Sequence, residues 1–297
     1  MGAIYALIAL GYTLVYGVLG LINFAHSEIF MIGVFGSLFT MHAMGIEVSD
    51  PPRAGLALVG VLVVSVLAAM LASGTAAVIM ERVAYRPLRR KHAPRLAALI
   101  TAIGVSLFVQ ELFALRYGRN QLGFPRVLAK RQLLELGGAN IRTDKVLVVV
   151  AAVVLMIALD RFIALSRLGR GVRATAQDAE TAALMGVNID RVVALTFLLG
   201  GLLAGAAGAL YGVFFEAARY NIGFVPGIKA FTAAVLGGIG NIRGALLGGF
   251  TLGLLENYGS AVLGAEWKDV FAFTVLVMVL MFRPTGLLGE RLGRSRA

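Results

Sequence analysis

The chain contains no cysteine, and only 14% of its 297 residues are charged. The first absence excludes disulfides, thiolate nucleophiles and cysteine metal sites, and it leaves the redox compartment open. The second excludes an ordinary soluble domain, in which about a quarter of the residues carry charge. Histidine is scarce too: His26, His42 and His92 stand far apart and show no zinc spacing. None of the five lysines sits in a G-x-x-x-x-G-K-[ST] phosphate loop. The run GGIGN at 237–241 is Gly-rich but lies inside an apolar segment with no strand before it, so it does not read as a dinucleotide loop. No catalytic constellation emerges. The expectation is a protein that is not an enzyme, with no metal site and no cofactor of its own.

What the chain has is apolar length. Hydrophobic residues make up 59% of it, in continuous runs of the roughly 17–25 residues needed to cross about 30 Å of hydrocarbon. Continuous rather than alternating runs imply helices, not barrel strands. The sequence therefore predicts an all-α, polytopic transmembrane bundle forming one domain over 1–297. About nine crossings are expected, near 2–21, 27–44, 54–80, 96–115, 145–165, 191–213, 226–240, 244–263 and 268–285. The seventh is short and Gly-broken. Residues 1–20 lack a basic n-region and a cleavage site, and read as a retained first helix.

Lys and Arg set the orientation. Segment 81–95 holds six, 160–191 holds five and 283–297 holds four, against one each in 45–53 and 264–268. The crossing count puts the three rich segments on one side, which is read as cytoplasmic, with the N-terminus outside. Loop 116–144 dissents: it holds six basic residues yet falls outside. The net charge of +11 is that of basic loops facing anionic lipid, not a nucleic-acid surface. Gly201/Gly205, Gly208/Gly212, Gly244/Gly248 and Gly249/Gly253 are spaced for close helix contact in lipid.

Intramembrane ionisable groups are few: Glu28, Glu111, Glu216 and Glu256, of which only Glu256 lies well inside a run. Such a carboxylate is expected to point into the bundle and to pair. The stretch LINFAHSEIFMIG, 21–33, places Asn23, His26, Ser27 and Glu28 between two apolar runs. One reading is a tight connection: Asn23 binds the last carbonyls of the first helix, Ser27 caps the second and Glu28 meets its positive end. A second, compatible reading makes this break, with Tyr12, His26 and Glu256, part of a solute path.

Segment 170–191, RGVRATAQDAETAALMGVNIDR, is too polar to span. Asp178 is placed to cap a short helix, Glu180 to favour its first turn and Gly186 to end it in the left-handed conformation. So short a helix is marginal alone. Its face of Ala182, Ala183, Leu184 and Met185 reads either as a docking surface or as a helix lying on the bilayer.

ETAALMG resembles the coupling motif, E-A-A-x-x-x-G, of permease subunits in ATP-binding-cassette importers, although Thr181 replaces an alanine and no Leu-Pro follows. A broader resemblance covers almost the whole chain. IALGYTLVYGVLGLINFAHSEIFMIG, ERVAYRPLR, SRLGRGVRATAQDAETAALMGVNIDRVVALTF, GIKAFTAAVLGGIGNIRGALLGG and FRPTGLLG are similar to the smaller, H-type permeases of high-affinity branched-chain amino acid importers. The resemblance implies a bacterial inner-membrane subunit passing leucine, isoleucine or valine. It implies a second homologous permease, two cytoplasmic ATPases that use the ATP, an external solute-binding protein, and a coupling segment at 166–190. Urea, short-amide and aromatic-acid importers are similar to this family and remain alternatives for the substrate. A self-sufficient carrier or channel is the alternative of a different class. Family members usually have Gly at the position of Ser27 and begin further upstream of Met1, so a preceding segment is expected.

Overall fold

In the computed structural model, which describes residues 1–136, 139–283 and 285–289, each of the nine apolar runs is a helix. In chain order the helices are α1 (Gly2–Leu19), α2 (His26–Ala43), α3 (Gly55–Met80), the short α4 (Arg86–Arg90), α5 (Arg95–Tyr117) and α6 (Thr143–Leu165). They continue with α7 (Arg167–Gln177), α8 (Ala179–Leu184), α9 (Ile189–Phe215), α10 (Phe224–Gly237), α11 (Ile242–Leu263) and α12 (Lys268–Phe282). A π-helical turn, Glu81–Tyr85, joins α3 to α4. The all-helical expectation needs one amendment. Two small antiparallel sheets occur, β1 (Leu122–Gly123) with β4 (Ala217–Ala218), and β2 (Gln132–Leu136) with β3 (Ala139–Arg142).

By length and composition, fewer than nine of these helices qualify as crossings on their own. Five are long and apolar enough alone: α1, α3 with its extension to Arg90, α5, α6 and α9. α10 and α11 qualify only as a pair, bent by 120° at the break between them, which gives six. The 14 residues of α10 reach about 21 Å at 1.5 Å each, short of the hydrocarbon thickness. The interruption foreseen in the seventh run is thus a sharp bend. Gly238 and Gly240, both at positive φ, supply it.

α1 and α9 form the centre and are buried along most of their length, whereas α3, α5 and α6 turn most of theirs outward. The spaced glycines build the close contacts. A Cβ on Gly208 would fall 2.5 Å from the Phe30 carbonyl of α2, and one on Gly249 would fall 2.5 Å from Cα of Ala6 in α1.

Loops gather at two ends. At one, Arg53 N–H donates to the Val127 carbonyl (3.0 Å), and β1 pairs with β4. At the other, Arg89 and Arg90 meet Asp190, and Arg243 approaches Asp160. The shared side foreseen for 81–95 and 160–191 is therefore a contact. Of the 283–297 tail, residues 284 and 290–297 lie outside the described residues. In the dissenting loop, four of the six basic residues have acidic partners: Arg119 with Glu111, Arg126 and Lys130 with Glu216, and Arg142 with Asp144.

Candidate functional site

The break between α1 and α2 is built from two local rules. Gly20 adopts φ 61° and returns its N–H to the Tyr16 carbonyl (2.7 Å), which stops α1. After six residues His26 opens α2, with Ala25 at the cap position. This corrects two expectations. Ser27 is the second residue of α2 rather than its cap; its hydroxyl lies 2.9 Å from the Phe24 carbonyl and 3.0 Å from Glu28 Oε1. Asn23 does not bind the end of α1, which Gly20 already closes. Its Oδ1 instead accepts from the Tyr85 hydroxyl (2.7 Å), and its amide faces Met80 sulfur (3.9 Å).

Glu28 does occupy the first turn of α2, as foreseen, and is fully buried. Its Oε1 accepts from Gln110 (2.8 Å) and lies 3.1 Å from the Ser106 hydroxyl, both on α5. His26 meets the Tyr12 ring edge-on, centroids 4.9 Å apart, and its imidazole lies where a side chain on Gly11 would go. Gly227 of α10 faces both Ser27 and the Tyr12 hydroxyl. A small pocket lined by Tyr12, Tyr16, Ile22, Phe231, Ala234 and Ile239 adjoins the break. Tyr12, Asn23, His26 and Glu28 are thus brought together where α1, α2, α5 and α10 meet.

Glu256 belongs to a second cluster. It is buried and paired, as foreseen, with Lys229 of α10 (2.8 Å), while the amide of the neighbouring Asn257 bonds the Gly253 carbonyl. Lys229, itself buried, also reaches Asp269 of α12 (2.6 Å). Sequence reading missed Lys229, although a lone lysine inside GIKAFTAAVLGG demanded a carboxylate. It also missed Glu81, which is fully buried in an otherwise basic segment. Among the described residues, no three of His, Asp and Glu converge as metal ligands.

The third feature is α8. Asp178 Oδ1 accepts from the N–H groups of Glu180 (2.9 Å) and Thr181 (3.1 Å), and the Thr181 hydroxyl donates to Oδ2 (2.6 Å). Thr181, the departure from the motif's alanine, therefore completes the cap. These bonds from Thr181 and Glu180 hold the Asp178 carboxyl below the usual carboxylate range. Gly186 stands at φ 85°, and the N–H of Val187 returns to the Ala182 carbonyl (3.0 Å). The apolar face divides, however. Ala182 is turned inward, 4% exposed, whereas Leu184 and Met185 project at 88% and 81%, beside exposed Ala183 and Glu180.

Residues 1–280 match the family model described as branched-chain amino acid transport system, permease component. The chain is 44% identical to the high-affinity branched-chain amino acid transport system permease protein LivH of Escherichia coli K12, over 98% of this chain and 92% of that protein. It is 42% identical to BraD, the corresponding permease protein of Pseudomonas aeruginosa, over 98% and 93%. A probable branched-chain amino acid permease of Methanocaldococcus jannaschii is 25% identical over 95% and 88%. No solved structure matches the chain. The chain belongs to the branched-chain amino acid transport permease family, the family that its five sequence blocks resemble.

Proposed function

We propose that the protein is a transmembrane subunit of an ATP-binding-cassette importer for leucine, isoleucine and valine in a bacterial inner membrane. It pairs there with a second permease, receives substrate from an external binding protein and docks a cytoplasmic ATPase on α8. Near-complete alignment with transport permeases of that substrate class carries this reading. The capped, protruding Leu184 and Met185 support the docking role: they are large apolar side chains held out on a short helix whose conformation is fixed at both ends. Asp178, Thr181 and Gly186 shape the helix, Glu180 and Ala183 flank its exposed face, and Ala182 anchors it.

In this arrangement α2 returns the chain across the membrane after α1, α10 and α12 lie in the membrane beside the other spans, the α8 end is cytoplasmic and the N-terminus is outside. The solute path passes the Tyr12, Asn23, His26 and Glu28 break, where irregular backbone is tolerated beside water. Glu256 braces α10 against α11 rather than touching solute. Uptake of labelled leucine by the reconstituted four-subunit transporter with its binding protein tests the assignment. Competition by isoleucine and valine, but not by urea, short amides or aromatic acids, is expected. Uphill uptake by this chain alone, driven by an ion gradient, would instead establish a self-sufficient carrier.

A further inference from the structure

We propose that Glu81, Tyr85, Arg89 and Asp190 form a mechanical link that carries movement of α8 to the polar break between α1 and α2, which makes them positioning residues for the transport step. This rests on the reading of α8 as the ATPase-docking helix.

The link begins at the end of α8. Only residues 185–188 separate α8 from α9. Returning bonds from Gly186 N–H to the Ala183 carbonyl and from Val187 N–H to the Ala182 carbonyl (both 3.0 Å) stiffen them. Asn188 then caps α9 by accepting from Arg191 N–H (3.0 Å). A displacement of α8 therefore moves the first turn of α9, where Asp190 stands. Both Asp190 oxygens are held from α4, by Arg89 (2.5 Å) and Arg90 (2.9 Å). Arg89 also donates to Glu81 Oε1 (3.2 Å). Arg86 holds Glu81 as well (3.3 Å), and Glu81 is fully buried, so its charge cannot leave these two partners for water without cost.

Glu81 opens the π-turn, and the same five-residue turn closes with Tyr85. Such turns are rare inside helices and are frequently found at functional sites. Here the turn aims Tyr85 inward. Its ring packs on Phe197 of α9, centroids 5.2 Å apart, and its hydroxyl donates to Asn23 (2.7 Å). Asn23 lies inside the break, three residues before His26. Hydrogen bonds at either side of the π-turn, joined by the backbone of the turn itself, thus connect the start of α9 to the break. A static brace and a transmitting link differ in one measurable respect. Breaking a brace lowers stability; breaking a link raises the ATP spent per solute moved.

The test uses the assembled transporter in proteoliposomes with its binding protein, comparing wild type with Tyr85→Phe, Asp190→Asn and the double variant. Each substitution keeps the side chain's shape and removes one bond or charge. ATPase co-purification should remain at the wild-type level, while ATP hydrolysed per amino acid imported rises severalfold in each single variant. The double variant should be no worse than the poorer single, because one chain broken twice is still one broken chain. A wild-type ratio in both singles, even with a lowered Tm, would reduce the network to a brace. Effects that multiply fully in the double would make the two bonds independent, and loss of ATPase from either single would move the role to docking; either outcome overturns the proposal. Leu184→Asp serves as the separate control. If that variant keeps its ATPase, the docking reading of α8 fails, whatever the coupling ratios show.

Discussion

At the scale of single residues, the buried lysine is the sharpest case. Lys229 neutralises Glu256 inside the bundle and reaches Asp269 at its edge. Lys229→Met should destabilise the protein by roughly 3–5 kcal/mol, because Glu256 is left charged and unpaired in a dry site. Adding Glu256→Gln should recover most of that loss, read as the detergent-solubilised Tm; a double variant as unstable as the single would show that Lys229 matters for packing alone. Glu216 gives a pH effect of the opposite kind. Burial would raise its carboxyl, but Lys130 (2.5 Å) and Arg126 (2.7 Å) outweigh that and hold it below the ordinary range. A folded value below the unfolded one means that its stabilisation is complete above the unfolded pKa of about 4.3. It disappears as pH falls through the lower folded value. Hydrogen-exchange protection around 122–131 should therefore weaken on acidification below about pH 4. In Glu216→Gln it should be weak at every pH.

At the scale of elements, most of the helices were legible and their partners were not. Apolar runs marked all nine long helices because lipid forces every backbone group to be satisfied within its own segment. The bend between α10 and α11 left a trace in the Gly-rich 237–241 run, although its angle did not. β1 and β4 left none: they pair across almost a hundred residues through two-residue strands, and periodicity cannot register so short a strand. At α8 the capping residues were readable one by one, since a cap is a local event. The burial of Ala182 depends on what packs behind the helix, which a heptapeptide does not encode. The docking test therefore falls on exposed Leu184 rather than on buried Ala182. Leu184→Asp should cut ATPase co-purification by a factor of tens to thousands, from the roughly 2–5 kcal/mol cost of an unpaired charge in a desolvated groove. The permease should keep its Tm, because the side chain is already outside. Ala182→Asp should lower the Tm as well, having no room on the inner side. Retention of the ATPase by Leu184→Asp would make α8 a plain surface helix.

At the scale of the whole molecule, the two sets of loops need to face different compartments, and the contacts say which belong together. Arg53 with Val127, and β1 with β4, tie 45–53, 118–131 and 216–223 into one end. Arg89 and Arg90 with Asp190 tie 81–94 to the α8 segment at the other. Counting Lys and Arg assigned these ends from the sequence and left loop 116–144 as the exception; what the count could not show is that four of that loop's six basic residues pair with Glu111, Glu216 and Asp144. The absence of cysteine makes the assignment easy to check, since every introduced thiol is the only one present. Asp50→Cys and Tyr220→Cys should react with a membrane-impermeant maleimide added outside intact cells. Lys91→Cys and Glu180→Cys should react only after the membrane is opened, with Glu180→Cys further shielded when the ATPase is bound. Labelling of Lys91→Cys from outside would invert the orientation and place α8 where no cytoplasmic ATPase could reach it. Labelling of Asp50→Cys and Lys91→Cys from the same side would mean that α3, long and apolar as it is, does not cross.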